Sequence, residues 1–445
     1  MRSCIKQNKK EIYLFIWLII MALLNAFLYD TMIVFAFVIV IGAIFLKLDY
    51  IFYIMSFCIP LASIFKISAD SISVLPVLFL IFIIKLFMNK KIHLYEHNVI
   101  AFGFFAVLQI FVVLFYGAGL VSTLSLLLNI FFVMSASAYF INHSQTNRQI
   151  KISSIFFISG AVFDVLIADI FPNITQAMNA QKIEALEYNN RYAALNMDPN
   201  EFSQYMLIAI CLGIALWPII KSRTGKIIDL ATIVFLSIAG YRSYSKGYIL
   251  TYLAILVIVF LMYLSRLKQR KGLVTAMLSA TPVIVVGAFC AVVFYKYFVV
   301  NLFETRSSYN TDLLSERGFI WGEYIKALGR RLDVALWGCG QQNFGFLRQF
   351  CAIYANKVPH NAYLDFIIQY GIIGSFAYLV CWKNLIKNII VTKKHTYIIL
   401  AILAFMISSF SLSINANDCM FILAVIVSMK YSDTQDNRQN KRKTV

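Results

Sequence analysis

Charge is scarce in this sequence. Only 13% of its 445 residues are Asp, Glu, Lys or Arg, where a soluble domain carries about a quarter. Histidine occurs five times, and acidic residues number 21 against 39 basic ones. There is no phosphate-binding glycine loop, zinc-ligand spacing, acyl-transfer triad or nucleotide fingerprint. These absences argue against an ATP-driven pump, a soluble-type hydrolase and a transferase fed by nucleotide sugars at the cytoplasmic face. They leave no expected metal or cofactor. No internal repeat and no low-complexity tract interrupts the chain. The eight cysteines are scattered, mostly in apolar runs. Cys339 and Cys351 share a polar stretch and could pair in an oxidising compartment, although a buried free thiol is common.

Apolar residues make up 61% of the chain. A soluble core cannot hide that much apolar surface, so the solvent must be lipid. Runs of about 20 apolar residues recur, each able to cross a ~30 Å hydrocarbon layer. They predict an all-α polytopic membrane protein with about 12–14 transmembrane helices. Fourteen spans are readable: 11–29, 31–46, 50–65, 73–88, 99–116, 120–141, 152–171, 201–220, 227–240, 247–264, 273–295, 363–382, 397–414 and 418–430. The first run follows Arg2, Lys6, Lys9 and Lys10. It lacks a small-residue cleavage site and reads as a span.

The net charge of +18 does not indicate nucleic acid, because its placement follows the positive-inside rule. With the N-terminus inside, the inner segments hold 26 of the 39 basic residues. Of the 13 outer ones, eight fall in the polar stretch from Lys296 to Asn361. Both termini are therefore expected in the cytoplasm, with the basic tail near anionic lipid. The chain divides into a membrane domain over 1–295 with eleven spans and an outer loop at 172–200. A large outer loop follows over 296–362, then the last three spans over 363–430 and a cytoplasmic tail over 431–445. Within the large loop, Ile320, Trp321, Tyr324 and Leu328 share one helical face, which predicts an amphipathic helix at the membrane interface.

Chemistry-bearing residues gather on the outer side. Arg242 and Lys246 flank a short turn there. Ordinary snorkelling accounts for such residues at span ends, but outer loops in this chain are poor in basic residues. An arginine at that level needs an anion, and a phosphate fits the guanidinium fork. Arg317 opens the amphipathic segment, as interfacial anchor or substrate contact. Arg330 and Arg331 close it and suit its C-terminal dipole and lipid phosphates. His360 follows Pro359 at a span mouth, where it is either an exposed loop residue or a general base. Asp198 or Asn200 reads as a helix N-cap. Arg191 is a weaker anion candidate. Asp164 and Asp169 lie within an apolar run, where acids are functional candidates by default. A donor handled outside must arrive activated, and a lipid-linked diphosphate meets that need.

In layout and motif order the chain resembles the O-antigen polymerase and O-antigen ligase superfamily of bacterial envelope glycosyltransferases. The resemblance rests on Asp198-Pro199-Asn200 before a span, Tyr241-Arg242-Ser243 with Lys246-Gly247, Arg317-Gly318-Phe319-Ile320-Trp321, and His360-Asn361-Ala362-Tyr363-Leu364 followed by Gly371-Ile372-Ile373-Gly374. The usual Ser-Arg pair reads Tyr241-Arg242 here, so the neighbouring hydroxyl would come from Ser243 or Ser245. The resemblance implies a polytopic helical glycosyltransferase of the bacterial inner membrane, with one large periplasmic loop carrying short amphipathic helices. Its substrate would be a glycan on undecaprenyl diphosphate. Arg242 and Arg317 would grip the diphosphate and His360 would act near the acceptor. Lys246, Arg191, Asn361 and Asn200 would line the substrate. The implied reaction is metal-independent, inverting polymerisation of repeat units. A flippase and a chain-length regulator would be partners. Ligation of finished polymer to a lipid A core is the alternative activity, and a lipid-linked oligosaccharide flippase is the alternative from another class.

Overall fold

The computed structural model describes residues 2–28, 32–62, 64–65, 73–89, 94–142, 146–173, 191–196, 198–272, 317–353, 357–383 and 398–411, with a few isolated positions besides. These residues form helices and no strand. In chain order they are α1 (Arg2–Phe27), α2 (Met32–Phe45), α3 (Leu48–Cys58), α4 (Val74–Met88), α5 (Glu96–Tyr116), α6 (Leu120–Asn142), α7 (Thr146–Ile170) and α8 (Pro199–Leu216). There follow α9 (Arg223–Arg242), α10 (Lys246–Lys271), α11 (Arg317–Arg330), α12 (Leu332–Trp337), α13 (Phe344–Arg348), α14 (Ala362–Cys381) and α15 (Ile399–Ser408).

Seven helices among the described residues are long and apolar enough to cross a bilayer, in α1, α5, α6, α7, α9, α10 and α14, and four shorter apolar helices accompany them. The protein is an all-α multi-pass membrane protein. Expected spans 273–295 and 418–430 lie outside the described residues, as do most of the loop at 172–200, the first part of the large loop and the tail. Expected span 50–65 is an eleven-residue helix, α3, then turns. From Ile51 to Cys58 it is enclosed by protein, as befits a helix that is apolar all round.

In lipid, hiding apolar surface brings little hydrophobic gain, so close packing holds helices together. The stacked rings of Phe79 and Phe132, with centroids 4.1 Å apart, illustrate such contacts, each worth about 0.5–1.5 kcal/mol. Helix α8 is the most enclosed long element, surrounded by α7, α9 and α15. The outer faces of α5, α9 and α10 expose Phe104, Val107, Leu114, Ile228, Ile238 and Leu250, as lipid-facing helices must.

A second, smaller core forms where α12 and α13 pack on α14 and α11 packs on α12 and α13, around Ile320, Tyr324, Ala327, Val334, Cys339, Leu347 and Ile368. This corrects one expectation. The apolar face of the amphipathic helix is covered by the protein's own side chains, not by the membrane interface. Cys339 and Cys351 are both free thiols. The Cys339 thiol bonds the Asn343 carbonyl and is pushed up to about 12 by burial.

Helix α14 is broken at Gly371, at φ 63° and ψ 179°. Segment 336–342 enters the break. The Cys339 and Gly340 amides donate to the Ile368 and Gln369 carbonyls at 2.8 and 3.0 Å. Those carbonyls lost their helical partners at the break. The approach leaves no room for a side chain: a Cβ on Gly371 would lie 2.3 Å from the Leu336 carbonyl oxygen, and one on Gly338 would lie 2.2 Å from that of Gln369.

Candidate functional site

Four helix N-termini meet at one end of the bundle. Asp198 caps α8, its carboxylate accepting from the Asn200 amide at 2.7 Å. Ser245 caps α10, accepting from the Tyr248 amide. The same Ser245 hydroxyl donates to the Asn200 side-chain oxygen at 2.8 Å, which joins α8 to α10. Asn361 caps α14, its side-chain oxygen accepting from the Tyr363 and Leu364 amides at 3.1 Å each. Arg317 is the first helical residue of α11. His360, one residue before the α14 cap, is electrostatically coupled to both Arg317 and Asp198. Each N-terminus carries about half a positive charge, and the caps on α8, α10 and α14 satisfy only some of the first-turn N–H groups. A cation at such an end is misplaced for its own helix. Arg317 therefore adds its positive charge to that of the helix end.

Two long-range hydrogen bonds hold His360 in place. The Trp321 indole donates to the Pro359 carbonyl at 2.8 Å and the Tyr324 hydroxyl to that of Lys357 at 3.0 Å. Both donors sit on the face of α11 read from the sequence. His360 itself adopts φ 49°, a left-handed conformation uncommon for a side-chain-bearing residue. Its pKa is lowered, by burial first and by the Arg317 guanidinium second, with Asp198 opposing. The imidazole is consequently neutral at pH 7. Titration of His360 followed by NMR in Arg317→Gln should move its pKa up, because a lowering charge is gone. Asp198→Asn should move it down. A shift in neither variant contradicts the coupling.

Arg242 is the last residue of α9 and Lys246 the first of α10. The polar turn expected over 240–247 is thus only Ser243–Ser245, and both cations stand on helix ends. The Arg242 guanidinium makes two parallel bonds to Asp169, at 2.8 and 3.0 Å. It lies 3.7 Å from the centroid of the Tyr192 ring. The Tyr192 hydroxyl donates to the same carboxylate at 2.9 Å. The anion that Arg242 requires is therefore present in the chain. The pair is open to solvent, with 42% of the Arg242 side chain and 40% of the Asp169 side chain exposed, and exposed pairs are worth only about 0–1 kcal/mol.

Arg191 donates to the Ser243 carbonyl at 2.9 Å and to the Asn200 side-chain oxygen at 3.0 Å. The Tyr192 amide donates to the Arg242 carbonyl. Asp164, the deeper of the two acids, accepts from the Leu195 amide and the Asn196 side chain, fixing residues 191–196 against α7. Ser243 turns its hydroxyl to the Gly240 carbonyl and Ser245 to Asn200, so neither hydroxyl is spent on Arg242 in this arrangement. Asn361 and Asn200 use their side-chain oxygens within the scaffold. Arg331, expected to serve the helix dipole and lipid phosphates, instead pairs with Asp333 at 2.6 and 2.9 Å, between the Phe346 and Phe350 rings.

All seven sequence-predicted residues (His360, Arg242, Arg317, Lys246, Arg191, Asn361 and Asn200) thus belong to this helix-end cluster. The roles of Asp169 and Tyr192 in it were missed. Asp169 stood out only as an acid within an apolar run, and its partner lies 73 residues away in sequence. Among the described residues no three His, Cys, Asp or Glu side chains are grouped to hold a metal ion.

No curated protein matches the chain. The family model described as O-antigen ligase matches residues 231–379, about a third of the sequence. That segment carries Arg242, Lys246, Arg317, His360 and Asn361, whereas Asp169, Arg191 and Asn200 precede it. Over residues 231–379 the chain is thus similar to the O-antigen ligase and polymerase superfamily.

Proposed function

We propose that the protein is a polymerase of surface polysaccharide, joining repeat units carried on undecaprenyl diphosphate at the periplasmic face of the bacterial inner membrane. The observation that carries this reading is the convergence of helix N-termini with Arg317, Arg242, Lys246 and neutral His360 at one membrane end. It combines an anion seat with a base. Helix N-termini bind phosphate groups, and arginine matches phosphate oxygens in two parallel bonds. Both termini of the chain are cytoplasmic in this reading, following the distribution of Lys and Arg.

The reaction is a single displacement. An acceptor sugar hydroxyl attacks the anomeric carbon of the donor sugar, the bond from that carbon to the diphosphate oxygen breaks, and the configuration inverts. The hydroxyl proton passes to neutral His360, a step worth roughly 10²–10⁴ in rate. The departing undecaprenyl diphosphate keeps the bond pair, and its charge is held by Arg242 and Arg317 with Lys246 assisting. These cations do the work that a metal would otherwise do.

Asp169 occupies the Arg242 fork until a donor arrives. The diphosphate, carrying more charge than a carboxylate, replaces it. Asp169→Asn is expected to lower the KM for lipid-linked donor by about two- to fivefold, consistent with an exposed pair worth at most about 1 kcal/mol. A raised KM would show that Asp169 positions Arg242 instead of guarding it.

The description of the matching family favours a second reading, ligation of finished polymer to a lipid A core. Surface polysaccharide from a deletion strain separates the two. Single repeat units on the lipid core identify a lost polymerase. Full-length polymer left on the carrier lipid identifies a lost ligase and overturns the proposal.

A further inference from the structure

At the far end of α11 from Arg317, an open cavity of about 550 Å³ lies between the end of α5 and the segment around α13. Its volume falls within the ~300–1,000 Å³ usual for small-molecule sites. Tyr116, Phe346 and Ile353 supply apolar walls, and Asn343, Arg348 and Gln349 supply polar groups. Asn343 is committed to the scaffold, donating to the Tyr116 and Cys339 carbonyls. Tyr116 is committed too, its hydroxyl donating to Asp333. Arg348 and Gln349 are different. Among the described residues their side chains have no hydrogen-bond partner, although Arg348 is half-buried. A guanidinium with five donors and a carboxamide with two donors and an acceptor therefore face a cavity walled by aromatic rings.

We propose that this cavity is a second glycan subsite, which holds sugars several residues away from the bond being made. This rests on the reading of the helix-end cluster as a glycosyl transfer site. A pyranose has an apolar C–H face and a rim of hydroxyls, so it needs an aromatic wall beside planar hydrogen-bonding groups. The cavity offers both. The 14 residues of α11 span roughly 20 Å at 1.5 Å per residue. Arg317 and His360 stand at one end, and Arg330 donates to the Phe350 carbonyl at the other. An oligosaccharide of several sugars bridges that distance, whereas a single sugar does not. The subsite would therefore recognise acceptors or growing chains longer than the transferred unit.

The test uses the full-length protein in phosphatidylethanolamine–phosphatidylglycerol nanodiscs. The probe is the host's own repeat-unit oligosaccharide, released from its carrier by mild acid, as single repeats and as multimers. Saturation-transfer NMR should show multimers binding tightly and single repeats weakly. Arg348→Ala combined with Gln349→Ala should weaken multimer binding at least tenfold. Both side chains lie outside the second core, so the variant should elute from size exclusion as the wild type does. It should still join two single repeats at the wild-type rate, while its product ladder shortens. Unchanged multimer affinity in the variant overturns the subsite, as does a cavity that binds inorganic phosphate and no oligosaccharide. Failure of the transfer-site reading shows separately, as full activity in Arg317→Ala, and leaves the binding result to stand or fall by itself.

Discussion

In the proposed reaction, Arg317→Ala is expected to lower the initial rate of glycosyl transfer by roughly 10²–10³, the usual cost of removing one preorganised group that stabilises developing charge, while the protein stays folded. Arg317 is half-buried at the start of α11 and contributes no apolar surface to the second core. A cation at a helix N-terminus is unfavourable for that helix, so alanine there removes no favourable interaction with the helix dipole. The loss should appear in kcat, because in the proposed reaction the interaction would strengthen as the diphosphate departs. Arg317→Lys should recover only part of it, since an ammonium cannot present the planar fork. Losses at Arg317 and Arg242 should not add if both grip one diphosphate. The measurement is the initial rate on purified lipid-linked repeat units, with thermal unfolding as the check on folding. A rate within twofold of wild type would remove Arg317 from the site.

The largest effect on stability is expected at Gly371. Its φ of 63° and ψ of 179° belong to a region occupied essentially by glycine, costing other residues about 1–3 kcal/mol. Gly371→Ala would also drive a methyl group to 2.3 Å from the Leu336 carbonyl oxygen, and overpacking of that kind costs about 1–3 kcal/mol more. Together these give about 2–6 kcal/mol, a large share of the 5–15 kcal/mol that holds an ordinary domain folded. The damage would be directed. The break in α14 receives the Cys339 and Gly340 amides, and α14 carries the cap beside His360 at its start. Gly322→Ala is the control, because a Cβ there meets nothing within 4 Å. Thermal unfolding in detergent should fall by many degrees for Gly371→Ala and not at all for Gly322→Ala. Equal melting temperatures would mean that the segment over 336–342 does not depend on the break.

Much of this was legible in the sequence. Hydropathy runs located the helices because each must satisfy its backbone internally in lipid. The Asp198-Pro199 cap followed from side-chain chemistry, and the periodicity of Ile320, Trp321, Tyr324 and Leu328 located α11. What hydropathy could not distinguish is lipid from protein as the cover for an apolar face. Both are equally apolar, so α11 was expected on the membrane and packs on α12 and α13. Nor could a local reading foresee the break at Gly371, whose reason is a carbonyl 35 residues earlier at Leu336. The turn at 243–245 was read too long because Arg242 and Lys246 were counted as loop residues for their charge. Asp169 escaped notice as a partner because ion pairs between distant helices leave no spacing signature. In each case the missing information is tertiary.

The most direct test of glycosyl polymerisation uses the purified full-length protein in liposomes supplied only with undecaprenyl-diphosphate-linked repeat units. The expected result is a ladder of products increasing by one repeat, with one undecaprenyl diphosphate released per bond formed. Lipid-linked units that cross the bilayer unchanged, or that react only when a lipid A core is added, would contradict it.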